Sequence, residues 1–299
     1  MINIKNLRGC GTALVTPFKA DGQVDEAALA KLVDFQIREG IDFLVPCGTT
    51  GESATLTMAE HLRVVEIVVE RAKGRVPVIA GAGGNNTAHV IEMAKQIESL
   101  GVEGLLSVTP YYNKPTQAGL LAHYRALAEA VKRPIIVYNV PGRTSTNLLP
   151  DTVVRLSAIE NIIGIKEACG DINQINELAV KIPPGFKIIS GDDALTLPII
   201  ALGGVGVISV ISNQAPKMMT ELTRLCLEGK FVVALALQRK LYSLMKLNFL
   251  ETNPIPVKAG LAMMGLIEES YRLPLVPMAE ENKRKLQNAM AELNLVAKI

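Results

Sequence analysis

The chain has 299 residues, 49% apolar and 20% charged, and its basic and acidic side chains nearly cancel at a formal net charge of +2. That length can bury a large core without disulfides or metals, and the apolar fraction excludes a disordered chain. Only 4% of residues are aromatic, Trp is absent, and no basic block occurs, which argues against a nucleic-acid-binding protein.

The start, MINIKNLRGCGTALVTPF, has no long apolar segment and offers no secretory signal. Short apolar runs then alternate with helical patterns. Strands are predicted at 11–18, 42–48, 76–83, 104–110, 134–140, 162–168, 187–193 and 205–210. The runs are continuous rather than alternating, as expected of parallel strands covered on both faces. Between them, Asp25 heads a helical stripe of Leu29, Leu32, Val33 and Ile37 that Gly40 ends. Thr57 and Glu60 have the spacing of a capping box, and Thr87, Thr116 and Asp171 are further N-cap candidates. The uncharged segment 194–216 is long enough for a membrane span. Pro198, Gly203, Gly204, Gly206 and Asn213 break it into a short helix, a glycine turn and a buried strand instead. From Ala215 onward the pattern is helical only, near 215–228, 230–248, 254–267 and 279–297.

Eight strands alternating with helices predict a (β/α)8 barrel over 1–228 carrying the site, with a helical C-terminal domain over 229–299. An open doubly wound sheet is the alternative, but GCGTAL and GAGGNN both lack the third glycine of a dinucleotide loop. Cys10, Cys47, Cys169 and Cys226 form no CxxC motif and read as free thiols in a reducing, cytoplasmic compartment.

A barrel of this kind places its functional groups at the C-terminal ends of its strands. Those ends carry Thr16, Thr49, Thr50, Asn85, Tyr111, Tyr112, Tyr138, Lys166, Asp192, Asp193 and Ser209. His61, His89 and His123 fall in predicted helices, read as surface or interface residues, and form no metal-ligand motif. No metal or organic cofactor is expected. Lys166 is the most informative residue. Strand alternation puts it on the side of Ile162 and Gly164; if that side faces the barrel, desolvation makes its amine a nucleophile near neutral pH. Tyr138 sits at a similar height on the neighbouring strand, where a phenol can shuttle protons for imine chemistry. Thr49 and Thr50 can pass a proton or bind a carboxylate, or simply cap a turn. Arg143, in a loop after Pro141 and Gly142, suits a carboxylate substrate. Glu167 alternates away from Lys166, and Asp192 and Asp193 read as turn and cap residues.

Four segments, GTTGES (48–53), YNVPGRT (138–144), GIKEACG (164–170) and SGDD (190–193), occur in an order that resembles the dihydrodipicolinate synthase group of the pyruvate-dependent class I aldolases. GTALVTPF (11–18) and TPYYNKP (109–115) extend the likeness almost end to end. The resemblance implies condensation of pyruvate with L-aspartate 4-semialdehyde on the lysine and diaminopimelate pathway. By it, Lys166 is the Schiff-base lysine, and Tyr138, Thr49 and Tyr112 form a proton relay, Tyr112 being supplied by a neighbouring subunit. Thr50, Gly191 and the backbone of Ile208 hold pyruvate, and Arg143 meets the semialdehyde carboxylate. A homotetramer, as a dimer of dimers, is also implied. Positions matching a lysine-inhibition site include Ser53, Ala54, His61, Asn85, His89 and Tyr111. Met58 replaces a histidine of strongly inhibited forms and His89 an acidic residue, so weak or absent inhibition is expected. Competing readings are an N-acetylneuraminate or 2-keto-3-deoxy sugar-acid aldolase, and a non-enzymatic keto-acid-binding barrel.

Overall fold

The structure, a computed structural model, describes residues 4–297. Its strands are β1 (Gly9–Ala13), β2 (Phe43–Val45), β3 (Ile79–Gly81), β4 (Gly104–Val108), β5 (Ile135–Asn139), β6 (Ile162–Glu167), β7 (Lys187–Ser190) and β8 (Gly206–Ser209). All paired neighbours are parallel, in the order β2-β1-β8-β7-β6-β5-β4-β3. A parallel bridge between Leu44 and Val78 joins β2 to β3 and closes the ring into a barrel. Each predicted run contains one strand, but β1 begins two residues before its run and ends at Ala13.

The helices are α1 (Glu26–Arg38), α2 (Met58–Ala72), α3 (Thr87–Ser99), α4 (Gln117–Ala130), α5 (Pro141–Thr144), α6 (Pro150–Leu156), α7 (Ile172–Lys181) and α8 (Thr196–Ala201). They continue with α9 (Pro216–Leu227), α10 (Phe231–Leu247), α11 (Ile255–Met263) and α12 (Glu280–Glu292). Side-chain caps start five of these helices. Asp25 accepts the amide of Ala28, Thr57 and Glu60 complete the capping box of α2, and Thr116 and Asp171 cap α4 and α7. The expected cap at Thr87 is corrected: Asn86 accepts the first amides of α3, and the Thr87 hydroxyl meets His123 Nδ1 at 2.9 Å. Thr87 is already the first helical residue, so the cap position falls to Asn86 before it. Segment 194–216 forms α8, the Gly203–Gly204 turn and β8, and no described helix is long and apolar enough to cross a membrane.

Strand alternation divides the core in two. Ile135, Val137, Leu105 and Ile165 pack outward against the helices. Phe43, Val45, Ile79, Leu106, Ile136, Tyr138, Ile189 and Ile208 fill the barrel, with Ile4 and Leu7 among them. One expectation fails. Ile162 packs in the outer layer, not on the side of Lys166, because the β5–β6 pairing skips Ile163 and resets the alternation. His61 and His123 are also buried rather than superficial. Each finds a partner, the Gly81 carbonyl at 2.8 Å and the Thr87 hydroxyl, which makes burial of a neutral imidazole tolerable.

Candidate active site

The register sets Lys166 directly beside Tyr138. Both are buried, and Lys166 Nζ lies 4.2 Å from the centre of the Tyr138 ring. Burial lowers the Lys166 amine from its ordinary 10.5 to about 7, the Asp193 carboxylate opposing that shift and the Arg143 guanidinium adding to it. Burial raises the Tyr138 phenol to about 12, with Arg143 and a hydrogen bond to Thr49 working the other way. Near neutral pH a substantial fraction of this amine is therefore uncharged, beside a phenol that keeps its proton.

Gly191 makes room for the amine. A Cβ there would lie 2.7 Å from the Cβ of Ala168 and 3.1 Å from both the Glu167 carbonyl and Lys166 Cε, so a side chain would crowd Ala168 and press on the lysine. Ile208, on β8, completes the barrel lining on that side. The outward neighbours Asn139 and Glu167 bond each other at 3.1 Å, which takes Glu167 away from the amine as expected.

Asp193 is a correction to the sequence reading. Ser190 ends β7, so strand alternation does not govern the pair that follows. Asp192 does cap, accepting the amide of Ala194 at 2.8 Å. Asp193 turns inward instead, is buried, and accepts the amides of Val210 and Ile211 at 3.0 and 2.9 Å. Burial raises its carboxyl to about 6 despite those donors. It is thus an anion at neutral pH within electrostatic reach of Lys166.

The threonine pair lies on the turn after β2. Thr16 donates to the Gly51 carbonyl at 2.7 Å, and Glu52 adopts a left-handed backbone, φ 51°. Glu52 also makes a fully buried ion pair, 2.5 Å from Lys258 Nζ of α11. The same ammonium lies 4.3 Å from the Phe18 ring centre. Asn253, just before α11, donates from Nδ2 to Thr50 Oγ1 at 3.0 Å. Its carbonyl accepts from Arg143 Nη2 at 3.1 Å. Arg143 stands on the one-turn helix α5 rather than in a loop, because Pro141 occupies a first-turn position. Neither Asn253 nor Lys258 was singled out from sequence. A lone lysine in the otherwise apolar run IPVKAGLAM was the available signal, since a buried lysine demands a partner.

Thr49 and Arg143 open into a cavity of about 480 Å³. Ser53, Ala54, His61, Asn85, His89 and Tyr111 line it too. Tyr112 is not brought into this chain's own site: it is 88% exposed, at φ 73°, on the β4–α4 loop. Among the described residues no group of three or more His, Cys, Asp or Glu is placed to hold a metal ion.

A buried amine of lowered basicity, a phenol in register with it and hydroxyls and a guanidinium at the mouth make up a site for imine chemistry on a carboxylated carbonyl compound. Comparison with known proteins agrees. The model of the dihydrodipicolinate synthetase family matches residues 6–293. The 4-hydroxy-tetrahydrodipicolinate synthase of Koribacter versatilis is 55% identical over 291 residues, 97% of each chain. The crystal structure of dihydrodipicolinate synthase from Aquifex aeolicus superposes with a TM-score of 0.96 at 45% identity, covering 98% of this chain and 100% of that one. That of the chloride-inhibited enzyme from Acinetobacter baumannii, complexed with pyruvate, gives 0.96 at 44% identity over 97% and 100%. The chain belongs to the dihydrodipicolinate synthetase family.

Proposed function

We propose that the chain condenses pyruvate with L-aspartate 4-semialdehyde through a Lys166 Schiff base, giving 4-hydroxy-tetrahydrodipicolinate for lysine and diaminopimelate synthesis. The observation that carries the reading is the Lys166–Tyr138 pair, held in register inside the barrel. The free amine of Lys166 attacks the pyruvate ketone. Tyr138 protonates the departing hydroxyl, water leaves and an iminium forms. The iminium draws electrons from the methyl carbon, which loses a proton to the relay and becomes an enamine carbon. That carbon bonds to the semialdehyde carbon, whose oxygen takes up a proton. The substrate's own amine then attacks the iminium carbon, Lys166 leaves, and the ring closes.

Thr49 links Tyr138 to the mouth, and its hydrogen bond to the phenol supports a relay role. Thr50, Gly191 and the Ile208 backbone hold pyruvate, and Arg143 receives the semialdehyde carboxylate. The exposure of Tyr112 suits a group that completes the relay in a neighbouring subunit, within a homotetramer built as a dimer of dimers. The reaction belongs in the cytoplasm. The barrel over 1–228 carries the chemistry. The division at 228–229 is supported by α9 packing on strand β1, whereas α10 lies outside the sheet against α8, α9 and α12. The cavity residues Ser53, Ala54, His61, Asn85, His89 and Tyr111 form a weak lysine site at most, and halving of activity by millimolar lysine would contradict that.

The decisive test is intact-protein mass spectrometry after pyruvate and borohydride, beside a Lys166→Ala control. A pyruvate-sized adduct on the wild type alone is expected. Folded wild-type protein without adduct would remove the Schiff-base mechanism and favour a keto-acid-binding barrel.

A further inference from the structure

We propose that Asn253 is a positioning residue for pyruvate: its side-chain amide occupies the acceptor side of the Thr50 hydroxyl and so turns the hydroxyl proton toward the substrate carboxylate. The inference rests on the assignment of Thr50 to pyruvate binding.

A threonine hydroxyl has one proton and two lone pairs, and it rotates to suit its neighbours. A carboxylate accepts only, so Thr50 binds it solely by donating. Asn253 Nδ2 has only protons to offer and meets Thr50 Oγ1 at 3.0 Å. That contact engages a lone pair and leaves the proton free. Both residues are buried. Asn253 Oδ1, also buried, meets no hydrogen-bond partner among the described residues.

The main chain of Asn253 does a separate job, because its carbonyl receives Arg143 Nη2 at 3.1 Å. Side-chain substitution at 253 therefore separates the two substrates: it disturbs Thr50 and leaves the carbonyl facing Arg143. The Lys258–Glu52 ion pair, five residues on, holds the segment against the threonine turn from the other side.

The experiment measures the pyruvate concentration that half-saturates borohydride trapping, together with the KM for each substrate. It uses the full-length wild type, Asn253→Ala, Asn253→Asp, Thr50→Val and the Asn253→Ala/Thr50→Val double variant. Asn253→Ala is expected to raise the half-saturating pyruvate roughly three- to tenfold, the worth of one oriented hydrogen bond, with the semialdehyde KM unchanged. Asn253→Asp keeps the shape but accepts the Thr50 proton, so it should be the more harmful of the two; it also carries the test if the alanine variant does not fold. On the Thr50→Val background, Asn253→Ala should add nothing. A wild type without adduct defeats the Schiff-base function itself, and an unaffected Thr50→Val defeats the assignment beneath the proposal. If Thr50→Val is impaired, three results overturn the proposal: an unaffected Asn253→Ala, an Asn253→Asp no worse than Asn253→Ala, or an equal rise in both KM values.

Discussion

Replacing Lys166 by Met should stabilise the protein, by an amount that shrinks as pH rises. The folded chain surrenders the Lys166 proton near pH 7, whereas the unfolded chain holds it to about 10.5. Between those values the unfolded state binds more protons, so wild-type stability rises with pH across the window. Each pH unit is worth about 1.4 kcal/mol. The buried charge therefore costs about 5 kcal/mol well below pH 7, about 4 at pH 7 and about 2 at pH 9. Methionine has a similar volume and no charge, so it escapes this cost. Urea unfolding of both proteins at pH 7 and pH 9, at matched concentration, should show the variant's advantage falling by about 2 kcal/mol. The same free-amine fraction predicts that wild-type borohydride trapping rises with pH and levels off above about 7. A stability difference that is constant between pH 7 and 9 would refute the idea that desolvation is what frees the amine.

Further consequences follow from neighbouring contacts. Asp193→Asn removes an anion that favours the lysine's charge, so the trapping profile should shift to lower pH; a shift to higher pH would mean the carboxylate does not act on Lys166. Gly191→Ala should reduce trapping more than tenfold while the protein stays folded, because its Cβ crowds Lys166 Cε and Ala168. Wild-type trapping in that variant would show that the lysine has room to move aside. Lys258→Met leaves the Glu52 carboxylate buried alone and should cost about 3–5 kcal/mol in denaturant unfolding. Adding Glu52→Leu should recover most of that loss, and a double variant no more stable than the single one would deny the ion pair its role.

The parts of the fold legible in the sequence are those set by local pattern. Strands such as PIIVYNV lie between two apolar layers and announce themselves as continuous apolar runs, and the Thr57–Glu60 box marks the start of α2. Lys166 and Tyr138 were legible as a pair because they stand at a similar height on neighbouring predicted strands; the skip at Ile163 absorbs a one-residue difference and sets them side by side. What escaped depended on irregularity or distance. The skipped Ile163 reverses the alternation that placed Ile162, and the short 3₁₀ turn over Asp193–Leu195 frees Asp193 from strand geometry. Asn253 and Lys258 meet Thr50 and Glu52 across about two hundred residues of chain, and no local spacing encodes that meeting.

That meeting also sets a timetable. Glu52 and Lys258 are 206 residues apart in the chain. At 5–20 residues per second, a ribosome needs roughly 10–40 s to add the second after the first. Throughout that interval the turn bearing Thr49 and Thr50 has neither its buried counter-ion nor the amide that meets Thr50. The eight strands are complete by Ser209, so a nascent or truncated chain ending there holds every strand of the barrel and still has an unfinished mouth. The mouth is finished only when the last quarter of the polypeptide docks, which ties its completion to the near-completion of synthesis.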